Sequence, residues 1–137
     1  MSQLSTEILK WFTCYDLRPE AMIRFIGFPH SGSGPQAFRE WGQLLPDHIE
    51  LLSLNLPGRG KRLDEPMITE MGDLTAHIVE ALCGYFDKPF VFFGHSVGAA
   101  IAFDVALELE TRKYPTPLHL FVSAYVAPDQ QLFTKRF

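Results

Sequence analysis

Apolar residues in this chain fall into short continuous runs separated by longer stretches with helical spacing. Residues 22–28, 49–56, 90–93 and 118–123 are rich in Ile, Leu, Val and Phe, the third of them continuously apolar, and they read as strands. Residues 11–15 (Trp-Phe-Thr-Cys-Tyr) add a short aromatic first strand, and the polar residues 1–10 read as a frayed end. Between the strands the period changes. Residues 36–45 place Ala37, Phe38, Trp41, Leu44 and Leu45 at helical spacing, with Pro35 at the start. Thr69 is positioned to cap a second helix running to about Phe86, with Leu74, Ile78, Leu82, Tyr85 and Phe86 on one face. A third helix, from residue 97 to about 110, is apolar on most sides and is expected to be largely buried. Arg112 and Lys113 suit its C-terminal dipole, and Pro115 and Pro117 stop it. Strand and helix alternate throughout, which predicts an α/β fold with a parallel sheet covered on both faces.

The strand-to-helix junction after residue 93 carries the candidate chemistry. Gly94-His95-Ser96-Val97-Gly98 fits G-x-S-x-G between an apolar strand and an alanine-rich helix start. In that setting the pattern is the signature of a nucleophile elbow, which lifts a serine hydroxyl above the sheet on a strained turn. Glycines at both ends let strand and helix approach closely. The helix start presents N–H groups and a positive dipole end to a developing oxyanion. The bland alternative is an ordinary turn with a chance serine; the flanking strand and helix argue against it.

Two further loops extend the pattern: Phe28-Pro29-His30-Ser31-Gly32-Ser33-Gly34 and Leu56-Pro57-Gly58-Arg59-Gly60-Lys61-Arg62. With the G-x-S-x-G turn, and with residues 118–124 followed by Ala127-Pro128, they resemble the type II thioesterases of the α/β-hydrolase superfamily. The resemblance covers about residues 11–130 and makes the whole chain, 1–137, the N-terminal portion of one such domain. It implies hydrolysis of acyl groups from the phosphopantetheine arm of an acyl- or peptidyl-carrier protein, for editing or release in nonribosomal peptide, polyketide or fatty-acid synthesis. It implies Ser96 as nucleophile, with the backbone N–H groups of Val97 and Ser31 as the oxyanion hole. No cofactor and no metal are implied.

The triad's other members are expected later in the chain, in the order acid then histidine. After Ser96 the sequence holds one histidine, His119, inside the predicted last strand, and Asp129 is the only acid after that strand. Related enzymes with an early acid carry it where Ser123 stands. Family members run longer, and their remaining part holds the lid, the last strands, the acid and the histidine. The alternative function is therefore a non-catalytic remnant that keeps the half-fold as an interaction module. His30 is a candidate substitute base; its plainer reading is a loop histidine lining the cleft. The last strand is expected to be an apolar sheet edge, prone to low solubility, to dimerisation or to pairing with a complementing chain.

Composition narrows the partners. Of 137 residues, 47% are hydrophobic and 20% charged, as in ordinary globular domains. A net charge of −4 offers no basic footprint for nucleic acid. The N-terminus lacks the pattern of a secretory signal and no apolar run is long enough to span a bilayer, so a cytoplasmic protein with reduced Cys14 and Cys83 is expected. Gly32-Ser33-Gly34-Pro35-Gln36-Ala37 fits a dinucleotide fingerprint, but the next strand ends in Asn55-Leu56 without the acid that a ribose requires. Arg59, Lys61 and Arg62 read as a solvated charged turn, or alternatively as a contact for an acidic carrier protein. Asp73 and His77 lie four residues apart on a helix and read as a surface pair rather than metal ligands. Phe38 and Trp41 read as core residues rather than substrate contacts.

Overall fold

A computed structural model describes residues 6–30, 35–58, 62, 64–68 and 70–123. Among these, strands β1 (Phe12–Thr13), β2 (Ile23–Phe28), β3 (Ile49–Leu54), β4 (Phe90–His95) and β5 (Leu120–Ser123) form one sheet in the order β1-β3-β2-β4-β5. The strands β3, β2, β4 and β5 run parallel, and β1 alone is antiparallel, to β3. Helices α1 (Thr6–Trp11), α2 (Trp41–Leu44), α3 (Met71–Leu82) and α4 (Val97–Thr111), with a 3-10 turn at Pro35–Phe38, make the connections. The α/β architecture expected from the alternating pattern is present.

Side chains alternate across the strands, and each face has its own cover. Ile26 and Phe28 of β2, Leu52 and Leu54 of β3, and Phe90 and Phe92 of β4 join Leu74, Ile78 and Leu82 of α3 and Ile101, Val105 and Leu109 of α4 in one buried core. The i, i+4 spacing on α3 is what turns that stripe inward, and each fully buried Leu or Ile contributes about 1.5–3 kcal/mol. Helix α4 buries Ala99, Ala100 and Ala102 as well, in line with its nearly all-round apolar sequence. Its end is set by Lys113 at φ 62, which lets the Tyr114 N–H reach the Leu109 carbonyl at 2.9 Å.

Four local expectations are revised. The N-terminal stretch contains α1, whose Ile8 and Trp11 lie three residues apart and are both buried. The Trp11 ring stacks on His77 of α3 at 5.8 Å. The first strand is confined to Phe12–Thr13. The helix expected over residues 36–45 is divided into the 3-10 turn and the single turn of α2, whose carbonyl end is capped from a distance. The Arg18 guanidinium donates to the carbonyls of Gly42 (2.6 Å), Leu45 (3.2 Å) and Pro46 (2.8 Å). Helix α3 ends at Leu82 rather than near Phe86, because Cys83 is extended and Gly84 follows at φ 95; its expected cap, Thr69, lies outside the described residues.

At the N-terminal ends of the parallel strands, Arg24 and Glu50 are both 1% exposed. Arg24 Nε lies 3.3 Å from Glu50 Oε1, and its Nη1 donates to Asp87 Oδ1 (2.8 Å) and to the Tyr85 carbonyl (3.0 Å). Glu50 Oε2 accepts the Arg18 N–H at 2.7 Å. A buried ion pair adds little over apolar residues of similar volume, but removing one member strands the other. Arg24→Met is therefore expected to lower unfolding free energy by about 3–5 kcal/mol in urea titration, and the double change Arg24→Met with Glu50→Leu to recover most of that loss.

Candidate active site

Strand β4 ends at His95, and α4 begins at Val97, so the whole reversal from strand to helix is made at Ser96. Ser96 has φ 57 and ψ −123. A serine with positive φ is uncommon, and such strain costs on the order of 1–3 kcal/mol. The two glycines of the motif make the turn sterically open. A Cβ on Gly94 would lie 2.6 Å from the Ala99 nitrogen and the Gly98 carbonyl oxygen. A Cβ on Gly98 would lie 2.6 Å from the Pro29 carbonyl oxygen, against the backbone that ends β2. No larger residue fits either place without moving main chain. The turn is also held by hydrogen bonds: the Ser96 N–H donates to the Ser123 carbonyl at 2.8 Å, and the Ser96 carbonyl accepts the Ala99 N–H at 2.9 Å. The Ser96 side chain makes no cap hydrogen bond to α4 and is half-exposed, so its hydroxyl is not spent on the helix.

Beside this turn lies a cleft of about 430 Å³. One end is polar, with His30, His95 and Ser123; the other is apolar, with Pro29, Ala37, Phe38, Trp41 and Phe93. His95 and Phe93 share a face of β4, since alternate residues do. Trp41 packs against Phe93 (ring centroids 4.9 Å apart), Phe38 (5.1 Å) and Phe25 (5.8 Å). The Phe38 ring rests on Gly27 of β2, where a Cβ would come within 2.7 Å of it. Phe38 is buried, as expected of a core residue, but it and the half-exposed Trp41 also line the cleft. The helical spacing of the two gave no sign of that second role.

The sequence-predicted site residues are distributed as follows. Ser96 and Val97 are consecutive at the start of α4, whose first N–H groups have no partner within the helix. Ser31 lies outside the described residues; the residue before it in the sequence, His30, lines the cleft. The His30 ring meets the His95 ring edge to face at 5.8 Å, and His95 Nδ1 is 3.2 Å from Ser123 Oγ. His119 precedes β5, exposed and packed on Phe121 at 4.3 Å. It is four residues, about 13 Å, down the strand from Ser123. It is therefore not brought to Ser96. Asp129 lies outside the described residues.

Other candidates resolve into packing. Arg62 is not a solvated turn residue: it is 6% exposed, stacks over Trp11 at 4.0 Å, and donates to Glu65 and to the Asn55 carbonyl. Arg59 and Lys61 lie outside the described residues. His77 Nδ1 sits 2.8 Å from the carbonyl oxygen of Asp73 rather than its carboxylate. Among the described residues no group of three or more His, Cys, Asp or Glu is arranged to hold a metal, and no helix is long and apolar enough to cross a membrane. Both cysteines are free, and burial together with nearby Glu50 pushes the Cys14 thiol up to about 11, so it is not a reactive thiolate.

Comparison with known proteins gives a consistent result. The thioesterase domain family profile matches residues 24–136. The human S-acyl fatty acid synthase thioesterase, medium chain, is 46% identical over 114 residues, which cover 82% of this chain and 43% of that protein. The gramicidin S biosynthesis protein GrsT of Aneurinibacillus migulanus is 35% identical over 124 residues, 90% of this chain and 48% of that one. Among solved structures, the type II thioesterase BorB from the borrelidin biosynthetic cluster matches with a TM-score of 0.80 at 26% identity, over 98% of this chain and 53% of its own. The RedJ thioesterase of the prodiginine pathway in Streptomyces coelicolor matches with a TM-score of 0.70 at 38% identity, over 75% of this chain and 40% of its own. The chain thus spans about half the length of the curated relatives it matches.

The backbone at Ser96 generates a direct test. Ser96→Gly is expected to raise unfolding free energy by about 1 kcal/mol, because glycine accepts positive φ without strain, whereas Ser96→Ala is expected to give no such gain. Urea midpoints of the two variants measure the difference.

Proposed function

This chain belongs to the thioesterase family, and on that premise we propose that it carries the nucleophile half of an acyl-thioester hydrolase, with Gly94–Gly98 as its nucleophile elbow. The observation that carries the reading is Ser96 itself: a half-exposed serine at φ 57, opposed by glycines at both ends of the turn. In the proposed reaction the Ser96 hydroxyl attacks the thioester carbonyl, the carbon–sulfur bond breaks, and the thiol leaves with the proton. Water then cleaves the acyl ester and restores the hydroxyl. The Val97 and Ser31 N–H groups would hold the oxyanion, and loss of one such donor costs about a hundredfold or more in rate.

The substrate we propose is an acyl group on the phosphopantetheine arm of an acyl- or peptidyl-carrier protein, cleared or released in a cytoplasmic synthase system. Relatives named for gramicidin S biosynthesis and for fatty acid synthase support this class. The aromatic end of the cleft, Phe38, Trp41 and Phe93, suits an apolar acyl chain. The second reading is a non-catalytic interaction module built on the same half-fold.

The β5 edge supports a further part of the proposal, a second chain paired there. Among the described residues β5 is the last strand of the sheet, and Leu118, Phe121 and Val122 beside and within it are 66%, 45% and 43% exposed. Sedimentation is expected to show concentration-dependent association that Val122→Lys abolishes. For the chemistry, a fluorophosphonate probe is expected to label the folded protein at Ser96, with labelling lost in Ser96→Ala. A folded sample that takes no label would favour the module instead.

A further inference from the structure

We propose that Ser123, at the end of β5, is a positioning residue for the chemistry at Ser96, acting through the His95 imidazole and the main chain of the turn. The inference rests on the reading of Ser96 as nucleophile. Parallel pairing of β4 with β5 sets Ser123 opposite His95. From that place it holds the turn twice. Its carbonyl accepts the Ser96 N–H at 2.8 Å, and its Oγ lies 3.2 Å from His95 Nδ1.

Each contact has a physical consequence. A backbone in the strained region persists only where its surroundings over-determine it. The Ser123 carbonyl is one of those determinants, alongside the close approach at Gly94 and Gly98. The hydroxyl acts on the side chain. An imidazole engaged at Nδ1 is held in one ring orientation, which leaves Nε2 as its other polar atom. His95 lines the cleft and meets His30 edge to face at 5.8 Å. The residue immediately before the nucleophile, and through it the polar wall of the cleft, is thereby tied to the tip of the neighbouring strand. An unanchored His95 would sample several rotamers on the cleft wall next to the turn, and the productive arrangement would be less populated.

The test compares the full chain with Ser123→Thr and Ser123→Val. Threonine keeps the hydroxyl; valine keeps nearly the same shape without it, and both favour a strand. The first readout is the rate at which a fluorophosphonate modifies Ser96, where Oγ bonds to phosphorus, fluoride departs and the hydroxyl proton passes to solvent. The second is the ¹⁵N chemical shifts of the two His95 ring nitrogens. Thermal melts establish that both variants are folded. The threonine variant is expected to match the native protein in both readouts. The valine variant is expected to react about three- to tenfold more slowly, the factor typical of one lost hydrogen bond, and to show the His95 Nδ1 shift moved toward that of an imidazole without a hydrogen bond there. If either readout fails to separate valine from threonine, the inference is overturned. A native protein that takes no label at all would overturn the reading of Ser96, while the nitrogen shifts would still report whether Ser123 holds His95.

Discussion

The close contact between the first turn of α4 and the backbone at the ends of β2 and β4 is the constraint on which this structure depends. Gly98 lies against the carbonyls of Phe28 and Pro29, and Gly94 lies against Ala99. Only hydrogen atoms fit at those two positions. Because helix and strands meet this closely, the residue between them has no room for an ordinary conformation, and Ser96 takes φ 57. Its hydroxyl is left out of the helix cap, on a turn whose preceding residue, His95, lines the cleft. The steric requirement and the candidate chemistry therefore have one origin.

The rest of the sheet can be understood as support for that contact. On one face α1, α3 and α4 seal a continuous apolar core around Ile26, Phe28, Leu52 and Phe92. On the other, the 3-10 turn and α2 bring Phe38 and Trp41 over Gly27, Phe25 and Phe93. Their aromatic edges leave a cleft that ends at His30, His95 and Ser123. The charged side chains that are buried lie elsewhere: Arg24 and Glu50 at the opposite end of the strands, Arg62 under Trp11. These groups are matched to one another, and their contribution is to fix strand ends and loops rather than to meet a ligand.

Most of the architecture was legible because it is encoded locally. Segments rich in Ile, Leu, Val and Phe mark β2, β3, β4 and β5, the period of α3 marks its buried face, and the nearly all-round apolar sequence of α4 marks its burial. The elements that were misjudged are those with weak local signals. Helix α1 is too short to show periodicity beyond Ile8 and Trp11. Helix α2 has a single turn, and its end is capped by Arg18, a residue more than twenty positions earlier. Arg62 looked like a surface charge in a basic loop, because nothing near it announces Trp11 as its partner.

The sequence by itself determined the turn: the spacing of Gly94, Ser96 and Gly98 between an apolar strand and an alanine-rich helix start specifies a cramped strand-to-helix reversal wherever it occurs. Such a requirement is steric and spans five residues, so five residues suffice to state it. Tertiary structure alone decided what stands around the turn. Trp41 on the cleft wall, the His30–His95 contact and the Ser123–His95 hydrogen bond join residues as much as 65 positions apart, and they arise only when parallel strands come into register. Register is a property of the whole sheet, set by the packing of both its faces, and no local pattern around any one of those residues contains it.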